Sequence, residues 1–140
     1  QALKASGLGD QFLDNLQIWR DQMALGLTTW AEMPEPSRSD CHAWGASPNI
    51  EFYRILLGID SDAPGFRKIR IAPSLGKLKE VSGTIPHPLG SVTAAYKLDE
   101  RGEGTARLVL PEGTTGIFIW DGKEIPLKPG EQVISLSLRH

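Results

Sequence analysis

The stretch Ile50–Ile71, IEFYRILLGIDSDAPGFRKIRI, contains a change of hydrophobic period, and that change decides the fold. Before Gly58, residues Ile50, Tyr53 and Leu57 fall on one line with Phe52, Ile55 and Leu56 beside it. Spacings of three and four place such residues on one face of a helix. After Gly58 the polar and apolar residues alternate through Lys68, Ile69, Arg70 and Ile71, the period of a strand with one face buried. The chain therefore divides near Gly58 into a helical segment, 1–58, and a strand-rich segment, 59–140.

Working toward the N-terminus, Leu13, Leu16, Trp19 and Met23 recur at helical spacing, with Phe12 and Ile18 widening the stripe. Asp10 is suited to the N-cap, where its oxygen would accept an orphaned amide, and Gly26 stands where a left-handed C′ residue ends a helix. This predicts a helix over about Asp10 to Leu25. For the helix that ends at Gly58, Ser47 reads as N-cap and Pro48 as N1, since proline lacks an amide hydrogen that would find no partner there. A short helical turn is expected over Cys41–Ala46, capped by Ser39 or Asp40, with Pro48 making a kink. Both helices carry apolar residues on wide arcs, and two helices alone offer too little partner surface to bury them. Either more chain upstream or another chain must cover them.

Toward the C-terminus the alternation returns in Val92, Ala94, Tyr96 and Leu98, in Ala106, Leu108 and Leu110, and from Val133 to Leu138. Turn signals separate these runs: HPLG at 87–90, DERGEG at 99–104, PEGTTG at 111–116 and KPGE at 128–131. Short strands at such intervals favour an antiparallel sandwich. Ile117–Trp120 and Lys123–Leu127 flank Asp121-Gly122, a pair that supplies the positive φ values of a type I′ hairpin turn. No internal repeat or low-complexity run is present.

Composition narrows the function classes. The chain has 140 residues, 40% hydrophobic and 23% charged, an ordinary balance for a packed domain. Its net charge of −2 has no basic stripe for nucleic acid and no polybasic segment for a membrane surface. No apolar run approaches the ~20 residues of a bilayer span, and the first residues lack the pattern of a signal peptide. One cysteine, Cys41, excludes an internal disulfide framework and any multi-cysteine zinc site, and leaves the compartment open. His87 and His140 stand alone, no pair has metal-ligand spacing, and no glycine-rich phosphate loop occurs. The expectation is a protein without cofactor or metal.

Reactive side chains concentrate in Gly26–Trp44, GLTTWAEMPEPSRSDCHAW, which connects the two helices. Connecting loops carry binding and catalytic groups because regular elements commit their side chains to packing. Glu32 follows a Thr-Thr-Trp step; a carboxylate there can act as a base on water, accept sugar hydroxyls or face solvent. Trp30 and Trp44 offer flat faces of the kind that stack on sugar rings, although buried Trp is as common. Cys41 and His42 invite a thiol-nucleophile reading, but neighbouring helical residues point about 100° apart. His42 is better read as a hydrogen-bond donor to a ligand or as a satisfied loop histidine. Arg38 and Asp40 are read as the loop's own ion pair in preference to ligand contacts. Glu35, between Pro34 and Pro36, is expected to be solvated.

Several of these motifs, taken together, resemble one family. Gly26-Leu27-Thr28-Thr29-Trp30-Ala31-Glu32, Ser39-Asp40-Cys41-His42, Leu57-Gly58-Ile59 and Pro64-Gly65-Phe66-Arg67-Lys68-Ile69-Arg70-Ile71-Ala72-Pro73 are similar, in order and joint presence, to the C-terminal end of the α-L-rhamnosidases of glycoside hydrolase family 78. The resemblance implies that 1–58 are the last helices of an (α/α)6-barrel catalytic domain, with 26–46 as an active-site loop, and that 59–140 form a C-terminal β-sandwich. It implies an inverting hydrolase of terminal α-L-rhamnosides, which works with two separated carboxylates. Glu32 would be the general base, and His42, Trp30 and Trp44 would line the rhamnose pocket. The general acid would lie on an earlier part of the barrel, so the implied partners are a rhamnose-containing glycoside and the remainder of that barrel. Ala31 differs from the Trp that often precedes the glutamate, and the loop from Glu32 to His42 is short and proline-rich.

Two readings of function follow. In one the chain is part of such a glycosidase, acting on a rhamnoside or another sugar and inactive alone. In the other it is a non-catalytic module whose sandwich binds carbohydrate or packs on a partner, with the helices as a docking element. The placement of Trp120, Tyr96 and Phe118, on an open face or in the core, separates the two.

Overall fold

The structure is a computed structural model that describes residues 1–137; the expected end of the last strand at Leu138, and His140, lie outside the described residues. Its helical segment is built from short pieces. Helix α1 covers Ala2–Ala5, 3₁₀ turns follow at Gly9–Gln11 and Asp14–Leu16, α2 covers Gln17–Ala24, and α3 covers Pro48–Glu51. The expected continuous helix from Asp10 to Leu25 is thus broken, and only its second half is α-helical. Asp10 caps no helix: its Oδ1 accepts the amide of Gly76 at 2.9 Å. A main-chain donor from the strand-rich half has taken the oxygen that a local cap would use.

The C-terminus of α2 matches its expected signal. Gly26 has φ 81°, its amide donates to the Met23 carbonyl and the Leu27 amide donates to the Gln22 carbonyl. Those two bonds form a Schellman motif. A 3₁₀ turn at Ala43–Ala46 occupies the place predicted for a helical turn. Neither Ser39 nor Asp40 caps it; its N-cap is His42, without a side-chain bond, and the Ser39 hydroxyl donates to Cys41 O instead. Pro48 opens α3 as anticipated, whereas Ser47 has helical dihedrals and makes no capping bond. Residues Phe52–Leu56 continue α3 as a π turn, closed by the Leu57 amide on the Phe52 carbonyl, before Gly58 turns the chain at φ 75°.

Two four-stranded sheets follow. Strands β1 (Ile59–Ser61), β2 (Lys68–Ile71), β6 (Thr115–Trp120) and β7 (Lys123–Leu127) form one, in the order β1-β2-β6-β7. Strands β3 (Glu80–His87), β4 (Gly90–Leu98), β5 (Gly104–Leu110) and β8 (Gly130–Leu136) form the other, in the order β3-β4-β5-β8. All described pairings are antiparallel except β2 with β6, which run parallel with Lys68 opposite Thr115. Asp121 and Gly122 turn β6 into β7 with φ 48° and 71°, the hairpin expected from the Asp-Gly pair. The inward faces, Ile69, Ile71 and Phe118 from one sheet and Val92, Tyr96 and Leu108 from the other, meet in a shared core.

The helical segment is joined to this sandwich by buried polar bonds as well as by apolar packing. Leu57 belongs to the sandwich core, and its carbonyl accepts the Tyr96 hydroxyl at 2.8 Å. Ser74 donates its amide to Ile55 O and Ala72 to Gly58 O. Phe12, Leu16, Ile55 and Leu56 make a second, smaller core within the helical segment.

Candidate functional site

The loop from Leu27 to Ala46 folds back on itself. The Glu32 amide donates to the Ser39 carbonyl at 2.9 Å, and the His42 amide donates to the Trp30 carbonyl at 2.8 Å. These two rungs, with the Thr29 hydroxyl on the Asp40 carbonyl, bring residues distant in sequence by seven to twelve positions side by side. Pro34 and Pro36 fall in the turn between Glu32 and Ser39, beyond the last rung.

This loop hangs from the helices by two anchors. Gln22, on α2, is buried, and its side-chain oxygen accepts the Ala31 amide at 2.9 Å. Trp19, also on α2, donates its indole N–H to the Gly45 carbonyl at 2.7 Å. Gly45 lies so close to the loop that a Cβ there would stand 2.7 Å from the Ala31 carbonyl oxygen and 2.8 Å from the Trp30 Cβ. Each anchor touches a residue next to Glu32 or Trp44, so helix α2 fixes the position of both. Gln22 and Gly45 carried no functional signal in the sequence: a glutamine at an inward helical position and a glycine in a loop are each common.

Glu32 itself has a side chain only 6% exposed, while its partner Arg38 is 74% exposed. The Arg38 guanidinium forks onto the carboxylate, Nε donating to Oε2 at 3.1 Å and Nη2 to Oε1. An ion pair within the loop was expected, but with Asp40 as the acidic partner. The fold-back of the loop explains the choice: the Glu32 amide bonds the Ser39 carbonyl, which brings the segment carrying Arg38 alongside Glu32. The Glu32 main-chain carbonyl in turn accepts the Trp44 indole N–H at 3.3 Å. The Trp44 ring is 62% exposed and packs on the His42 imidazole, with 4.0 Å between centroids at 39°.

The structure therefore brings Glu32, His42, Trp44 and Arg38 together. Trp30 is placed differently: with Leu13, Trp19, Met23 and Phe52 it lines an apolar cleft of about 320 Å³ between the helices, and Glu32 is not among the lining residues. Cys41 is a free, exposed thiol. Chemically the cluster offers a largely buried carboxylate, an open aromatic face and an imidazole, a set able to take a proton from water and to contact a polar ring.

Outside the loop, Tyr96 and Phe118 are 1% and 0% exposed and stack in the core. Trp120 stacks on Phe118 and donates its N–H to Ser137 O. His87, read from sequence as an isolated turn residue, is buried; its Nδ1 accepts the Leu89 amide, and its Nε2 bonds the Phe66 carbonyl. Burial and the absence of a partner proton on a peptide carbonyl make Nε2 the protonated nitrogen. Among the described residues, no three His, Cys, Asp or Glu side chains are grouped to hold a metal ion. No helix among them is long and apolar enough to cross a membrane.

Comparison with known proteins gives these features a context. No curated protein sequence matches the chain. The solved alpha-L-rhamnosidase from Aspergillus terreus superposes with TM-score 0.82 at 21% identity, over 96% of this chain and 18% of that one. That extent takes in the helical segment as well as the sandwich. The alpha-L-rhamnosidase from Streptomyces avermitilis, solved with L-rhamnose, gives 0.63 at 18% identity over 86% of this chain and 14% of that one. The enzyme from Dictyoglumus thermophilum gives 0.62 at 22% identity over 71% and 12%. The chain thus spans less than a fifth of the length of these proteins, and they share its fold. Residues 58–132, more than half of the chain, match the family model of the bacterial alpha-L-rhamnosidase C-terminal domain, and the chain belongs to that family.

Proposed function

We propose that the chain is the C-terminal part of an inverting glycoside hydrolase acting on terminal α-L-rhamnosides, with Glu32 as the general base. Residues 1–58 would be the closing helices of a helical-barrel catalytic domain and residues 59–140 the sandwich that follows it. The observation that carries this reading is the Glu32 carboxylate: largely buried, clamped, and beside His42 and Trp44 on a loop anchored to a helix. Glu32 would take a proton from a water as its oxygen attacks the anomeric carbon. The bond from that carbon to the glycosidic oxygen breaks, and its electron pair leaves with the oxygen. A second carboxylic acid, on the part of the barrel that precedes this chain, would protonate that oxygen. His42 and Trp44 would bind the sugar, and Trp30 would wall the pocket from the side of the apolar cleft.

The apolar cleft supports the same reading, since Leu13, Met23 and Phe52 present the surface that neighbouring barrel helices would bury. The alternative of a carbohydrate-binding sandwich gains nothing from Tyr96 and Phe118, which lie in the core. With one carboxylate of the required pair, the isolated chain is expected to show no hydrolysis of an aryl α-L-rhamnoside; measurable turnover would overturn the two-part site. In the complete enzyme Glu32→Gln should lower kcat by about a thousandfold or more, in the range of losing an essential proton-transfer group, with the fold intact. Wild-type rates in that variant would place the base elsewhere.

A further inference from the structure

We propose that Arg38 is a positioning residue for Glu32, holding the carboxylate in the orientation from which it accepts the proton of water. This rests on the reading of Glu32 as the base.

The geometry favours a clamp over a surface ion pair. The guanidinium engages both oxygens of one carboxylate, which fixes rotation about the terminal torsion of the glutamate; a single bond would leave that broad torsion free. Its place is set by the main chain, because Ser39, the next residue, carries the carbonyl that accepts the Glu32 amide. The main chain around Arg38 is tied locally: the Ser37 hydroxyl donates to Ser39 O at 3.0 Å, and the Ser37 amide donates to the Glu35 carboxylate at 3.2 Å. Main chain and side chain of Glu32 are thus gripped by consecutive residues of the returning half of the loop.

Such a clamp does not use up the base. An ionised carboxylate offers about four lone-pair directions, two on each oxygen, and the fork takes one on each. The remaining directions accept a water proton while the arginine stays in place. Lysine would keep the charge but not the fork, since an ammonium is a point donor.

The test is made in the complete enzyme, with Arg38→Ala, Arg38→Lys and Glu32→Gln assayed on an aryl α-L-rhamnoside, with far-ultraviolet circular dichroism to verify folding. Arg38→Ala should lower kcat by roughly tenfold to a hundredfold, the scale of a misplaced catalytic group, with KM within about twofold. Millimolar guanidinium should return part of that kcat to Arg38→Ala and none to Glu32→Gln, and Arg38→Lys should fall between wild type and Arg38→Ala. Unchanged kcat in Arg38→Ala, a loss carried by KM alone, or a folded variant that guanidinium does not rescue would each overturn the positioning role while leaving Glu32 as the base. Full activity in Glu32→Gln, or a complete enzyme that does not cleave the rhamnoside, would overturn the functional reading and the role of Arg38 with it.

Discussion

Tyr96 and Glu32 each place a polar group where water is scarce, and each is satisfied by a partner distant in sequence or exposed to solvent. Burial pushes the Tyr96 phenol well above its usual range, so it stays a neutral donor to the Leu57 carbonyl at every working pH. Tyr96→Phe keeps the ring in the core and strands that carbonyl, and should cost about 1–2 kcal/mol, read as a lower urea midpoint with unchanged slope. At this scale the sequence was informative where chemistry is unusual. Glu32 and His42 stood out because carboxylate, imidazole and indole are dense in one loop. The partner of Arg38 was not legible, because Asp40 is nearer in sequence and only the fold-back of the loop brings Glu32 within reach of the arginine. His87 likewise gave no hint that two main-chain groups would enclose it.

Among the elements, α2 is the one that carries the loop, and its two glycines of attachment behave differently. At Gly26 a side chain would meet open space, with nothing within 4 Å, so Gly26→Ala incurs only the strain of a positive φ, about 1 kcal/mol. At Gly45 a methyl would press on the Ala31 carbonyl, and Gly45→Ala should cost about 2–3 kcal/mol as overpacking does. Urea unfolding of both variants, with Trp fluorescence to follow the loop, should rank them in that order; equal midpoints would show that the loop yields freely. The Schellman end of α2 and the Asp-Gly hairpin were readable because a positive φ leaves its mark in residue type. The helix from Asp10 was read as too regular, since hydrophobic period does not report that Gly76 competes for the Asp10 carboxylate. Strand β3 was passed over: Gly83 and Pro86 look like breakers. Gly83 makes room for Leu57, whose Cδ1 would lie 2.5 Å from a Cβ there, and Pro86 is tolerated because β3 is an edge strand.

For the whole molecule, surface charge adds a dependence on pH that the core does not. The Lys68 ammonium bonds the Asp62 carboxylate at 2.7 Å and holds it below its ordinary pKa, and the Arg107 guanidinium does the same for Glu131. A carboxyl depressed in the folded state stabilises above its unfolded pKa, and that contribution is lost as pH falls through the folded value. Acidification should therefore lower the unfolding midpoint, and the combined variant Asp62→Asn, Glu131→Gln should lose less on the same acid series. Both pairs are exposed, so added salt should shrink the difference. Parallel slopes for parent and variant would assign the acid sensitivity to other groups. At this scale the division into a helical and a strand-rich segment was legible from the change of period at Gly58, whereas the strand order was not, because alternation says which residues face inward and nothing about neighbours.

The parallel pairing of β2 with β6 has a consequence for how the chain reaches this state. Strands β3, β4 and β5 are joined by short turns and can pair as soon as they emerge, while β2, already paired with β1, must wait for its other neighbour, which lies beyond all three. Closing so long a loop costs entropy before any contact offsets it. The β2–β6 rung is therefore a late contact in folding, and the other sheet is closed later still in chain order, when β8 reaches β5.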